Sequence, residues 1–373
     1  MNKLIRFCHL IDPATENPLL FNSVKFSDRS RFDYVVISLA PEGDLQEQMR
    51  SISVKSLSIN CSARRGYPTA LMKLVRYFRS ERFDVVQVHG FEASFVGLIA
   101  AIIARIPVRI FSGHHSHEVP LYGNARLMAV DSFLARHLAT QVIAPSRNMR
   151  DIFVNKHRVP AAKIEVIEHG MYLDDWRRQA QQASNIRREF GFEKKMLFGS
   201  VGRLFWVKGF DTLIRAFSVV ARARDDIALA IAGDGGDRPQ LEGLISELGM
   251  GERIKLIGKR TDIAAVMNEF DVLIHPSIAE SFGLIYPEAL ALGKPVIATR
   301  GGIAEDIVRN GENGYLINPG SLSEMTDAIE KMIGARASWA AMGENARTVS
   351  ERFSVTKTQR VCDKFIASLV KYQ

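Results

Sequence analysis

Short, continuously apolar and largely β-branched runs recur along the chain, each separated from the next by a helical or mixed stretch. In the first half they are Leu4–Ile11, Tyr34–Leu39, Val85–His89, Val108–Phe111, Gln141–Ala144 and Ile164–Ile167. Strands that are apolar throughout, rather than alternating, belong to a parallel sheet covered on both faces. Phe83–His89, Gly90, an apolar helix over 93–105 and Val108–Phe111 make a compact βαβ unit. A second series follows the polar stretch Asp174–Lys195, which holds neither Gly-rich flexibility nor a strand pattern, so the domain junction is expected there. Its strands are predicted at Met196–Val201, Ile227–Ala232, Arg253–Ile257, Val272–His275, Pro295–Thr299 and Tyr315–Ile317. The pattern predicts an α/β chain of two doubly wound, Rossmann-like domains, 1–185 and 186–350; 351–373 is expected to be a C-terminal helix crossing back to the first. Such domains bind ligands outside the carboxyl ends of their strands, here in the cleft between the two.

Composition narrows the class. A length of 373 residues suits two domains, and 47% hydrophobic with 24% charged residues excludes disorder or a fibrous repeat. The longest apolar run, Phe95–Ala104, falls well short of the about 20 residues that a membrane span needs. Asp12 and Pro13 interrupt any signal-peptide core. Cys8, Cys61 and Cys362 are far apart and lack metal-ligand spacing, so they read as reduced thiols of a cytoplasmic protein.

Charge is uneven. Residues 1–185 carry 24 Lys and Arg against 17 Asp and Glu, whereas 186–373 carry 25 against 24. The stretch 50–82 holds eight basic residues and a single acid, Glu81. Within Thr69–Arg82, Leu71, Leu74, Val75 and Phe78 form an apolar stripe with Lys73, Arg76, Arg79 and Arg82 off it. Two readings stay open: a solvated helix face, or peripheral contact with the anionic inner face of the cytoplasmic membrane. Nucleic acid is not expected, since no recognised motif or aromatic platform accompanies the charge.

Two blocks in the second half carry candidate chemistry. Glu280-Ser281-Phe282-Gly283-Leu284 follows a strand ending at His275 and leads into a helix stopping at Gly293. Free N–H groups at such a strand-to-helix turn suit an anion, and Gly283 permits close approach of a ligand. Glu280 and Glu288, eight residues apart, are placed to face a common cleft. Without a DxD or His/Asp cluster nearby, two carboxylates suit sugar hydroxyls better than a metal. The other block, Gly202-Arg203 to Lys208-Gly209, sets an Arg fork and a Lys point charge after a strand, a pair fit for a diphosphate.

Taken together, these blocks resemble the family-4 retaining glycosyltransferases of the GT-B fold. The likeness extends through Ala230-Ile-Ala-Gly-Asp-Gly235, Ile257-Gly258, Asp271…Pro276-Ser277, Glu280-x7-Glu288, Gly293-Lys-Pro-Val-Ile-Ala, Gly301-Gly302 and Gly311-Glu-Asn-Gly-Tyr-Leu. It implies two Rossmann-like domains facing across a cleft, and a donor site formed by Gly202, Arg203, Lys208, Arg260, Ser281, Phe282, Gly283, Leu284 and Glu288. Arg203 and Lys208 would bind the nucleotide diphosphate, Glu280 the donor sugar and Glu288 the ribose. The backbone of 282–284 would face phosphate and sugar, and the loop Gly258-Lys-Arg260-Thr would receive the base.

The first half resembles the family more loosely. Pro107-Val108…Ser112-Gly113-His114 is similar to the element whose His reaches the donor sugar, which implies His114, although His115 and His117 crowd the same stretch. Satisfied loop histidines, or a metal site completed by Glu118, are the other readings of this cluster. Val142-Ile-Ala-Pro-Ser146 matches, but the usual Asn-Gly-Val-Asp is His169-Gly170-Met171-Tyr172. After the first strand Ile11-Asp12-Pro13-Ala14-Thr15-Glu16 replaces a Gly-Gly loop.

The resemblance implies metal-independent, cofactor-free transfer of a sugar, with retention, from a nucleotide-diphosphate donor to a hydroxyl of a glycan or lipid-linked acceptor. A UDP-sugar is expected ahead of a GDP-sugar. A GT-B epimerase or phosphorylase, or a non-catalytic sugar-nucleotide-binding protein, is the alternative. Acceptor-dependent turnover separates the former, and intact Arg203, Lys208, Glu280 and Glu288 argue against the latter.

Overall fold

The apolar runs become two all-parallel sheets in the computed structural model, which describes residues 4–61, 63–113 and 125–371. The first contains β1 (Ile5–Ile11), β2 (Phe32–Ser38), β3 (Lys55–Ser58), β4 (Val85–His89), β5 (Val108–Ser112), β6 (Gln141–Ala144) and β7 (Ile164–Val166), in the order β3-β2-β1-β4-β5-β6-β7. The second contains β8 (Met196–Val201), β9 (Ile227–Ala232), β10 (Ile254–Gly258), β11 (Val272–His275), β12 (Val296–Thr299) and β13 (Gly314–Ile317), ordered β10-β9-β8-β11-β12-β13. Most predicted strands differ from these by no more than two residues at an end. The strand missed was β3: its sequence Lys-Ser-Leu-Ser is polar because it pairs on one side only, with β2 at the sheet edge.

Both sheets are buried on each face. In the first, one face packs Leu10, Val86, Val88 and Phe111 under helices Tyr67–Glu81 and Phe91–Ile103. The opposite face packs Phe7, Ile11, Tyr34 and Ile110 against the final helix, Val355–Lys371, through Ile366 and Ala367. The apolar run Phe95–Ala104 thus lies in or beside a core helix, and no helix of the described residues is long and apolar enough to cross a membrane. In Tyr67–Glu81, Ala70, Leu74 and Phe78 are buried, whereas Lys73, Arg76 and Arg79 are exposed.

The chain divides into two units, 1–171 with 354–373, and 172–353. This moves the boundary from the expected 185/186 to 171/172. The polar stretch taken for a junction forms helices Leu173–Gln179 and Ile186–Glu189. Trp176 Nε1 donates to the Glu288 carbonyl at 3.0 Å, and Arg187 Nη2 to the Glu269 carbonyl at 2.8 Å and the Asp271 carboxylate at 2.9 Å, so these helices are part of the second unit. The second unit also runs on to Phe353, whose buried ring packs against Phe282. The last helix belongs to the first unit. Asp363 accepts from Ser27 Oγ and the Asp28 N–H, both at 2.9 Å, and Gln359 Oε1 from Ser23 Oγ at 2.7 Å.

Ile366 is fully buried in that seam. Ile366→Ala is expected to lower the unfolding free energy by about 2–5 kcal/mol, while Val361→Ala, on a half-exposed position of the same helix, stays within about 0.5 kcal/mol. Urea denaturation of the two variants checks the difference.

Candidate functional site

In each sheet the strand order reverses once, between β1 and β4 and between β8 and β11. Loops leaving the carboxyl ends on either side of such a switch point diverge and leave a crevice for ligands. In the second unit the two loops concerned are Gly202–Gly209, after β8, and Pro276–Leu284, after β11. They are strapped together. The Ile278 N–H donates to the Val207 carbonyl at 2.8 Å, and Ser277 Oγ to the same oxygen at 3.2 Å. Gly209 sits at the crossing with φ +65°, where a Cβ would lie 2.3 Å from the Pro276 carbonyl oxygen, so glycine alone fits.

Glu280 is the centre of this arrangement. Its side chain is 14% exposed, is ion-paired with Lys208, and meets His275 Nε2 at 2.8 Å. Burial by itself would raise the carboxyl, but the hydrogen bond from His275 and the charge of Lys208 prevail and hold it at about 2. An ionised carboxylate only accepts, so His275 Nε2 carries the hydrogen and Nδ1 is the bare nitrogen. That nitrogen is buried without a hydrogen-bond partner among the described residues, and burial pushes the imidazole below its ordinary range despite Glu280. His275 is therefore a neutral donor. Its part was not foreseen. The available signal was its place as the last residue of β11, five positions before Glu280.

Arg203 is exposed, with its guanidinium over the Phe205 ring at 5.3 Å, and no carboxylate among the described residues pairs with it. Its donors face no internal competitor. Arg260 differs: both arms of its fork are taken by Asp262 at 2.9 Å, with Glu189 at 3.6 Å, so only the backbone of Gly258–Thr261 is left to meet a base. Gly202 donates its N–H to Ala232. Ser281 is half-buried and Phe282 buried; Gly283 adopts φ +85°, and helix Ile285–Ala291 starts after Leu284. Glu288, in the first turn of that helix, is not drawn into the Lys208 cluster. No side chain among the described residues pairs with it, and loss of water alone pushes its carboxyl up to about 7.

In the first unit Asp12 stands at the switch point between β1 and β4. Its carboxylate accepts from the Ala93 N–H and, at 3.3 Å, the Glu92 N–H, capping helix Phe91–Ile103 in the place where the resemblance leads one to expect glycines. Burial raises it to about 6 against these hydrogen bonds. His9 Nδ1 and His89 Nε2 lie 2.9 Å apart close by. His114, His115 and His117 fall outside the described residues. Among the described residues no three His, Cys, Asp or Glu side chains gather as a metal site.

The raised Glu288 carboxyl has a sign that can be checked. Between about pH 4.5 and 7 the folded chain holds a proton here that the unfolded chain has lost, so stability falls as pH rises through that window. Glu288→Gln is expected to melt above wild type at pH 8 and to lose that advantage near pH 4.5, read from melting temperatures across a pH series.

Comparison with known proteins agrees with this geometry. Residues 182–349 match the family model described as glycosyl transferases group 1, and residues 24–175 the one described as glycosyltransferase family 4. An uncharacterized glycosyltransferase of Methanocaldococcus jannaschii is 29% identical over 264 residues, 67% of this chain and 66% of that one, just under two thirds of its length. The capsular polysaccharide biosynthesis glycosyltransferase CapM of Staphylococcus aureus is 25% identical over 358 residues, 93% of this chain and 92% of that one. The crystal structure of Anabaena HepE in complex with UDP superimposes with a TM-score of 0.83 at 25% identity, covering 97% of this chain and 100% of that one. With one family model on each unit and the fold shared over nearly the full length, the chain belongs to the family-4 glycosyltransferases of the GT-B fold.

Proposed function

We propose that the protein transfers a sugar from a nucleotide-diphosphate donor, a UDP-sugar ahead of a GDP-sugar, to a hydroxyl of a glycan or lipid-linked acceptor, with retention and without a metal. The observation that carries this reading is the β8–β11 switch point, where Arg203, without a carboxylate partner among the described residues, and the Lys208–Glu280 pair emerge on two strapped loops. HepE, similar over its whole length, has been solved with UDP and with UDP-glucose, and CapM is named for capsular polysaccharide biosynthesis. The first supports a nucleotide-sugar donor and the second a place in glycan assembly.

In this mechanism Arg203 and Lys208 stabilise charge on the departing diphosphate, together with N–H groups of the Gly283–Leu284 turn. Glu280, ionised, orients the sugar and favours positive charge at its anomeric carbon. Glu288 meets the ribose, and the Gly258–Thr261 backbone the base. The family resemblance assigns His114 to the donor sugar. The departing phosphate takes the acceptor proton on the same face, so no protein nucleophile is needed. Arg203→Ala and Lys208→Ala are each expected to weaken binding of the cognate nucleoside diphosphate at least tenfold, about 1.4 kcal/mol, by calorimetry. Unchanged affinity in both removes the phosphate site. Turnover is expected to survive EDTA; complete loss restored by magnesium or manganese removes the metal-free mechanism.

A lipid-linked acceptor fits the basic face of the first unit. Arg65, Arg76 and Arg82 have no carboxylate partner among the described residues, and Met72 is 65% exposed on the same helix as Arg76. The protein is read as cytoplasmic, consistent with three free cysteines, and as docking on the inner membrane face. Co-sedimentation with liposomes is expected to rise with anionic lipid and fall with salt. Reversing Arg76, Arg79 and Arg82 to Glu is expected to weaken it while donor affinity holds. If wild type ignores anionic liposomes at low salt, the face is solvated only and the acceptor is soluble.

A further inference from the structure

His275 is a buried imidazole at the end of an otherwise apolar strand, 2% exposed, with its ring edge-on to Tyr286 at 5.2 Å. Such a residue is costly unless something is gained from it, because a buried polar atom without a partner loses its hydration outright. Among the described residues one nitrogen stays unpartnered, and the other bonds to Glu280. The backbone around it is fixed independently: β11 pairs with β12 at His275↔Ala298, and Thr299 Oγ1 donates to the Ser277 carbonyl at 2.5 Å. An apolar residue of similar size would complete this core without an orphaned atom. The imidazole's one directed interaction is with the Glu280 carboxylate.

Glu280 has two anchors of different kinds. Lys208 sits on a loop, carries a positive charge, and is the group assigned to the diphosphate. His275 is rooted in a central strand and carries no charge to offer a phosphate. When the diphosphate draws on the Lys208 ammonium, the ion pair with Glu280 weakens, and the imidazole N–H is the contact that remains. We propose that His275 is a positioning residue: its Nε2–H holds Glu280 in the orientation that meets the donor sugar while Lys208 serves the diphosphate. This rests on the reading of Glu280 as the sugar-facing carboxylate.

The test uses the full chain and three variants. His275→Phe keeps the aromatic bulk against Tyr286 and removes the donor, His275→Gln returns an amide N–H at similar reach, and Glu280→Gln tests the underlying reading. UDP binding is followed by calorimetry, and kcat and KM are measured with the most active donor from a screen of UDP- and GDP-sugars. Misplacing a substrate-orienting group by about 1 Å costs on the order of 100-fold in rate. His275→Phe is therefore expected to bind UDP, to keep the donor KM within about threefold, and to lose about 10- to 100-fold in kcat. His275→Gln is expected to recover most of that loss. A wild-type kcat in His275→Phe overturns the inference. Equal losses in the Phe and Gln variants also overturn it, because an N–H returned at that position would then restore nothing; a loss in the Gln variant alone overturns it too, because the ring would then be a packing element. If Glu280→Gln turns over like wild type, or wild type binds neither UDP nor GDP, the donor-site reading has failed instead.

Discussion

Parallel strands return to the same end of their sheet only by way of crossover connections, and those connections cover both faces. Polar groups are thereby driven largely to the strand ends and the sheet edges. This constraint explains why strands such as Ile227–Ala232 are apolar at every position and why every candidate donor-site residue of the second unit lies in a loop or first helical turn beyond a carboxyl end. The strand order then selects among those ends, since only where it reverses do neighbouring loops part. Arg203 and Glu280 come from the two strands at that reversal.

The price of siting a carboxylate there is dehydration. Glu280 and Lys208 are each largely shielded from water, and a buried ion pair is not a source of stability in general, because removing hydration from two charges offsets much of their attraction. What the pair provides is definition. With the neutral imidazole of His275 supplying a second, uncharged bond, Glu280 stays ionised and oriented although water is scarce. Glu288 is the counterexample within a few residues: similarly dehydrated but unpaired, it is driven towards protonation. Two carboxylates that look equivalent as a spaced motif are thus pushed in opposite directions, one held ionised and the other towards protonation.

The strands were legible because continuous apolar runs have few competing readings at that length. β3 was not, since an edge strand paired on one side has no need of an apolar sequence. The junction was misplaced for a related reason. Polar residues in Asp174–Lys195 suggested a linker, but Trp176, Arg177 and Arg187 reach out from it to carbonyls of the second unit. Long amphipathic side chains pack without leaving an apolar pattern. At the site, Arg203, Lys208, Glu280 and Glu288 were found through their spacing. His275 was not, because one histidine ending a core strand is indistinguishable in sequence from an ordinary buried one. The occupation of Arg260 by Asp262 was hidden too, as it depends on side-chain rotamers two residues apart.

The last helix has a consequence for how the chain comes into being. Ile366 and Ala367 fill one face of the first sheet, and Asp363 is bonded to Ser27 and Asp28, more than three hundred residues upstream. During synthesis the first sheet emerges early, with an apolar face that lacks the part of its cover supplied by the last helix. The second unit is continuous in sequence, from 172 to 353, and has all its parts before that cover leaves the ribosome. The order of translation and the order of completion are therefore opposite: the domain made first is finished last. Until residues 355–371 arrive, Phe7, Ile11 and Ile110 lack the packing that Ile366 and Ala367 supply, and that apolar surface stays exposed.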